Sequence, residues 1–314
     1  MSKKNFEEQL ENVNQFKITN KTDIISLIKD LRSTGFNAKR LATACEIYET
    51  MIRDEKCVKF FGLAGAMVPA GMQGIIHDFI EEDFIDILVT TGANLTHDIA
   101  ETLGFHHLQG AINPNELDDA ELHQEKINRI YDVFLPDRVY EGIEDFISQL
   151  NIPDQQMSVS KFLKFLGKQL PDDSHSILKI AAKKDIPIFC PAFTDSGLAL
   201  QLGFHFQKLN LNHFEDMLKM VDLAWDAKNA GVCIVGGGVP KNFIFQSLQF
   251  CPTSAKYAIQ ITMDRPEPGG LSGATLQEAM SWGKVNEEAL NSMVISDATI
   301  ALPLILWYLK EKLK

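Results

Sequence analysis

The residues at 264–284, DRPEPGGLSGATLQEAMSWGK, gather the side chains that amine chemistry needs. Glu278 and Trp282 lie four apart, so on a helix they share one face. An indole beside a carboxylate makes a cradle for an ammonium group. Lys284 follows Gly283, whose conformational freedom lets the backbone bend toward a cavity. A lysine kept against tryptophan and apolar neighbours is readily held as the neutral amine, which condenses with a carbonyl or iminium carbon to a Schiff base. The same spacing fits a surface lysine beside an amphipathic helix, and spacing alone leaves both open.

Three small-residue turns elsewhere suggest a flat, phosphate-bearing ligand. Gly236-Gly237-Gly238 follows an apolar run and precedes a helix begun by Pro240. Backbone amides at such a turn approach a phosphate, and the helix N-terminus favours its charge. The run matches neither G-x-G-x-x-G nor the P-loop pattern, so a plain tight turn is an equal reading. GLAGAMVPAG at 62–71 and Thr90-Thr91-Gly92 have the same character. Together the three turns point to a dinucleotide cofactor. His97 stands apart because it follows a strand end, whereas His106 and His107 show no spacing that defines a site. With no H-E-x-x-H or comparable pattern, no metal is expected. Surface or satisfied core roles are expected for the other histidines.

These turns need strands to carry them. Apolar runs near 57–63, 85–90, 186–190, 231–235, 257–263 and 293–297 show little alternation and are separated by helical stretches. That pattern predicts an α/β fold, a Rossmann-like and mainly parallel sheet flanked by helices, with an N-terminal helical extension. Each strand ends in small or polar residues, where open α/β sheets place ligands. Ile24, Ile25, Ile28 and Leu31 predict a helix that Gly35 ends, and a second helix runs over 38–53. Residues 104–173 read as a mostly helical, polar insertion broken at Pro114, Pro136, Pro153 and Pro171. The expected division is an arm and helix over 1–36 and one NAD-binding domain over 37–314.

With 42 acidic against 30 basic residues, the 314-residue chain carries a net charge of −12, which argues against a nucleic-acid footprint and suits a cationic partner. The five cysteines form no C-x-x-C pair and read as small core residues. Neither a signal peptide nor an apolar run of membrane-spanning length is evident. A cytoplasmic protein without membrane contact is expected.

Ser281-Trp282-Gly283-Lys284, Gly236-Gly237-Gly238-Val239, Cys190-Pro191-Ala192-Phe193-Thr194-Asp195, Thr90-Thr91 and Ser296-Asp297-Ala298 occur in the order found in the deoxyhypusine synthase family. From about Gly35 to the C-terminus the chain resembles that family. The resemblance implies NAD-dependent oxidation of a polyamine such as spermidine and transfer of its aminobutyl unit through a lysine imine. It also implies a homotetramer with active sites between subunits. On this resemblance Lys284 is the imine-forming lysine, Trp282 stacks along the amine and Glu278 anchors an ammonium. Gly65, Ala66, Met67, Val68, Pro69, Thr91, Gly92, Ala93, Asp195, Gly237, Asp264, Asp297 and Ala298 would hold NAD. His97, Asn242, Glu267, Gly270 and Leu271 would face the substrate. Four positions depart from the family's pattern: Leu200 and Leu271 replace acids, Asn242 a histidine and His97 a glutamate. These departures resemble the bacterial deoxyhypusine-synthase-like branch. They leave open a homospermidine-synthase-type transfer to a free diamine, a protein lysine as acceptor, and a non-catalytic NAD- or polyamine-binding protein.

Overall fold

The computed structural model describes residues 10–110, 118–153, 156–172 and 174–314; the first nine residues of the expected arm and the expected break at Pro114 lie outside them. Six strands form the central sheet: β1 (Cys57–Leu63), β2 (Ile87–Thr90), β3 (Ile188–Phe189), β4 (Asn229–Val235), β5 (Ala255–Thr262) and β6 (Val285–Ile295). Every pairing is parallel, and the spatial order is β3-β2-β1-β4-β5-β6. This is the doubly wound dinucleotide-binding order, in which the chain reverses direction between β1 and β4 and leaves a crevice beyond their carboxyl ends. The expected α/β class and all six strands are present.

Burial on both faces explains the mostly apolar runs with little alternation. Neighbouring residues of β1 enter different cores: Phe61 joins Tyr48, Met51, Ile76, Phe79 and Leu302 on one face, while Phe60 joins Val232, Ile234, Ile244 and Met220 on the other. Side chains alternate across a strand, so such a strand needs apolar residues at most positions on both faces. The helices Phe36–Arg53, Gln73–Glu81 and Ala298–Lys312 cover the first face, and His213–Asp226 and Gly238–Gln249 the second.

The first helix, Ile24–Arg32, opens with a reciprocal capping box between Asp23 and Ser26 and buries Ile24 and Ile28. Its end differs from expectation. Ser33 closes it through Asp30 and Leu31, and Gly35 is the extended N-cap of the next helix, Phe36–Arg53. The insertion also differs. Besides the helices Asp119–Gln124, Arg138–Ser148 and Val159–Gln169, it holds a three-stranded antiparallel sheet of Leu108–Gln109, Ile127–Ile130 and Val133–Pro136. Ile130 pairs with Val133 across a hairpin loop made by Tyr131 and Asp132. Among those strand residues only Leu135 is buried, so the stretch is polar enough to lack a clear strand pattern. Cys45, Cys57, Cys190 and Cys233 are buried and free. Among the described residues no helix is long and apolar enough to cross a membrane.

Candidate functional site

The turn after β1 and the start of the helix Gly92–Thr102 are joined by one side chain. Asn94 donates through Nδ2 to the Gly65 carbonyl (3.0 Å) and accepts from the Val68 amide at Oδ1 (3.3 Å). Thr90 donates its hydroxyl to the Leu63 carbonyl at 3.0 Å, linking the ends of β1 and β2. Gly65 has φ +79°, a conformation that favours glycine. Thr91 caps the helix, and Gly92 fits only without a side chain, because a Cβ there would lie 2.5 Å from that of Ser196. The loop that carries Asp195 therefore sits directly on the Thr91-Gly92 turn.

Across the crevice, Gly236 (φ +71°) and Gly238 (φ +55°) form the turn after β4. A Cβ on Gly237 would fall 2.4 Å from the Ser272 Cα, and the Gly238 amide donates to Ser272 Oγ at 3.1 Å. The glycine run is thus the seat of the loop at 271–274. Gln260 of β5 holds the same joint, donating at 2.8 Å to both the Gly236 and Ser272 carbonyls. Lys241, only 3% exposed, completes it by donating to Gln260 Oε1 (3.0 Å), the Leu271 carbonyl (3.0 Å) and the Ala274 carbonyl (2.5 Å). Burial brings the Lys241 ammonium down to about 8; Glu278 opposes the fall and Lys284 adds to it.

The loop leads into the short helix Leu276–Ser281, capped by Thr275, whose hydroxyl accepts from the Glu278 amide at 3.0 Å. Its other end explains Ser281-Trp282-Gly283-Lys284. The Gly283 amide donates to the Met280 carbonyl (2.9 Å) and the Lys284 amide to the Ala279 carbonyl (3.0 Å), with Gly283 at φ +69°. Those two bonds and the left-handed glycine are the Schellman motif. It reverses the chain so that Lys284 enters β6, its carbonyl bound by the Ala255 amide at 3.0 Å. The Lys284 Nζ lies 5.0 Å from the Trp282 ring centroid, within cation–π range.

A cavity of about 860 Å³ opens beside the β1 turn. Its walls include Ala66, Met67, Val68, Pro69, Asp297 and Thr299, with Glu101 from the helix Gly92–Thr102 and His107 from the insertion. Asp297 caps the helix Ala298–Lys312, accepting from the Thr299 amide and hydroxyl at 2.7 Å each. The volume suits a small-molecule or cofactor site. The small-residue turns at the chain reversal fit a dinucleotide's phosphates.

The expected site residues fall into separate groups. Residues 66–69 and Asp297 share the cavity, with Thr91 tied to it through Asn94 and Gly92 next to Thr91 at the helix start. Glu278, Trp282 and Lys284 form a second cluster outside the cavity walls, in the electrostatic reach of Lys241. Ala93, Asp195, Asp264, Glu267 and Gly270 are exposed, and Ala298 opens the last helix. Asn242 donates to Gln246 at 3.1 Å, and the Leu200 and Leu271 side chains face solvent. Asn94, Lys241 and Gln260 went unread in the sequence, where only a polar residue inside an apolar segment marked each.

His106 and His107 take the expected surface and satisfied core roles, His106 exposed and His107 with a buried side chain and both ring nitrogens bonded, and together they form a network with His97. Glu101 accepts at Oε1 from the His107 amide (2.8 Å) and from its Nδ1 (2.6 Å), and at Oε2 from His106 Nδ1 (2.8 Å). His107 Nε2 meets His97 Nδ1 at 2.9 Å. Burial pushes His97 down to about 4, and the histidines hold Glu101 down at about 2 despite its burial. Asp98 is turned away, accepting from the Ser176 hydroxyl (2.8 Å) and the Ile177 and Leu178 amides (2.8 and 3.0 Å), so that it caps the helix Ile177–Lys184.

The family model for deoxyhypusine synthase matches residues 26–309. Relatives designated deoxyhypusine synthase include one from Methanosarcina acetivorans, 48% identical over 95% of this chain and 94% of its own. One from Archaeoglobus fulgidus is 42% identical over 92% and 94%, and one from Methanothermobacter thermautotrophicus 36% identical over 94% and 96%. A solved structure designated as a deoxyhypusine synthase of Entamoeba histolytica superposes with a TM-score of 0.65 at 19% identity, covering 94% of this chain and 96% of that one; at that identity it supports the fold. The resemblance to a bacterial branch does not stand. These relatives are archaeal, and identity spread over the whole chain outweighs four pocket substitutions.

Proposed function

The chain belongs to the deoxyhypusine synthase family of NAD-dependent aminoalkyl transferases acting on polyamine-type substrates, and from that premise we propose that Lys284 carries the transferred unit as an imine. The observation that carries this reading is the Schellman cap, which places the Lys284 ammonium against the Trp282 ring beside the helix bearing Glu278. The Lys284 amine attacks the iminium carbon of an oxidised polyamine, and the displaced amine leaves with a proton. A second amine then displaces Lys284 in the reverse sense. Trp282 supports the carbon chain, and the Glu278 carboxylate receives a terminal ammonium.

Residues 65–69, Thr91, Gly237 and Asp297 would hold NAD, which would supply the hydride acceptor for amine oxidation and the hydride donor for the product. Because the cavity and the Lys284 cluster are separate within one chain, we propose that copies of the chain, as a tetramer, complete each site. Trp282 is 58% exposed, and Leu200, Phe204, Phe214 and Leu218 are large apolar side chains left in solvent, which supports self-association. The exposed Leu200 and Leu271, where the family carries acids, favour a free diamine acceptor over a more highly charged one.

The test is incubation with NAD and spermidine, putrescine, homospermidine or agmatine, followed by borohydride and mass spectrometry. An aminoalkyl adduct is expected on Lys284 and absent from Lys284→Ala. No adduct with any of the four amines would sink the reading. A transfer assay with free diamines beside a translation-factor lysine identifies the acceptor.

A further inference from the structure

We propose that Glu101, His107 and His97 form a proton relay between the cavity wall and the Gly92–Thr102 helix, and that its protonation sets whether His97 Nε2 offers the amine substrate a lone pair or a proton. The inference rests on the amine-transfer reading for its substrate and on hydrogen-bond counting for its mechanism.

The Glu101 carboxylate has no hydrogen to give, so each bond it makes uses a hydrogen from a histidine. His107 therefore carries hydrogen on Nδ1, which meets Glu101 at 2.6 Å. When His107 is neutral, its Nε2 is bare, and the 2.9 Å bond to His97 takes its hydrogen from His97 Nδ1. His97, 9% exposed and held neutral by burial, has one ring hydrogen, so Nε2 is left as an acceptor. Nε2 has no hydrogen-bond partner among the described residues. When His107 gains a second proton, the shared hydrogen moves to its Nε2 and His97 must carry its own on Nε2. One proton reverses that atom from acceptor to donor.

This reversal matches amine oxidation, since an ammonium must lose a proton before its C–H bond can give up hydride. The amine N–H bond breaks and its electron pair stays on nitrogen. A new bond forms at His97 Nε2, while the His97 Nδ1 hydrogen passes to His107 Nε2. The positive charge comes to rest on His107 against Glu101, where attraction is greatest.

The charged neighbours do not compete for these atoms. His106 occupies the other Glu101 oxygen, and Asp98 caps Ile177–Lys184. Asp132, His175 and Asp297 stand elsewhere on the cavity wall. From the helices packed behind come Tyr140 and the paired Glu144 and His205, and Lys179 is bound to Asp172.

Solid-state NMR of ¹⁵N-histidine-labelled whole protein, assigned with His97→Gln and His107→Gln, reads the tautomers without turnover. Where His107 carries one ring hydrogen both rings are expected as Nδ1–H, and where His107 carries two His97 is expected as Nε2–H. His97 in the Nε2–H form beside a singly protonated His107, or in the Nδ1–H form beside a doubly protonated one, overturns the relay. Glu101→Gln should move the acid limb of the pH profile for amine-dependent NADH formation by at least about tenfold in proton concentration, whereas a merely structural Glu101 would lower the rate without moving that limb. An unmoved limb also overturns the relay. Absence of NADH formation and of a Lys284 adduct in the wild type instead counts against the transferase reading, and the tautomers still decide the relay.

Discussion

Replacing Lys241 by methionine isolates the joint between the glycine turn and the loop that leads to Lys284. The substitution keeps most of the stem volume and removes three hydrogen bonds from a buried ammonium. A fall from 10.5 to about 8 means that the site disfavours the charged form by about 3 kcal/mol relative to water. Against this stand three bonds from a charged donor, each worth about 1.5–3 kcal/mol, and methionine would leave three acceptors unpaired. The variant should therefore be less stable by about 2–4 kcal/mol at pH 7. The pH dependence gives a sharper signature. The folded value lies below the unfolded one, so between about 8 and 10.5 the unfolded chain binds more protons and wild-type stability rises with pH. The penalty is present in full below about 8 and gone above 10.5. Urea unfolding of both proteins, at one protein concentration across that range, should show the wild-type advantage widening by up to about 3 kcal/mol. A constant difference across the range would refute the reading of Lys241 as a buried, desolvated ammonium.

Gly283→Ala forces a side chain into φ +69° and should cost about 1–2 kcal/mol while slowing adduct formation at Lys284, checked by melting temperature and timed borohydride trapping. Asp98→Ala removes a fully buried carboxyl, raised by its burial yet bound by two amides and a hydroxyl, and should cost about 3 kcal/mol or more in urea unfolding; Asp98→Asn should recover part of it. Asp297→Ala should lose about 1 kcal/mol of helix capping and also weaken NAD binding measured by fluorescence titration; unchanged NAD affinity would separate this aspartate from the cofactor.

The sheet was readable because strands buried on both faces cannot hide: β1, β4 and β5 are mostly apolar with little alternation, and β1 and β4 each end in a turn of small residues. The helix leading to Lys284 was readable for a local reason, since its cap, its left-handed glycine and its two closing bonds lie within one short segment. The histidine network was not, because His97 and His107 meet only when the insertion folds back, and their separation in sequence matches no periodicity. Lys241 was hidden differently. Its partners are carbonyls and an amide oxygen from distant segments, so no opposite charge in the sequence marks the contact. The insertion's sheet escaped because a strand pair with one solvated side needs few apolar residues.

The contact of Gly237 with Ser272 restricts how this sequence can diverge. No side chain fits at 237 while the backbone of 272 lies against it, and shortening Ser272 gives no relief, since its Cα is the nearest atom. A lineage that gains a side chain at 237 must first re-route the loop, and that loop leads to the helix before Lys284. The glycine is thus held in place by a residue far along the chain. Comparing descendants should show loop length and residue 237 changing together or not at all.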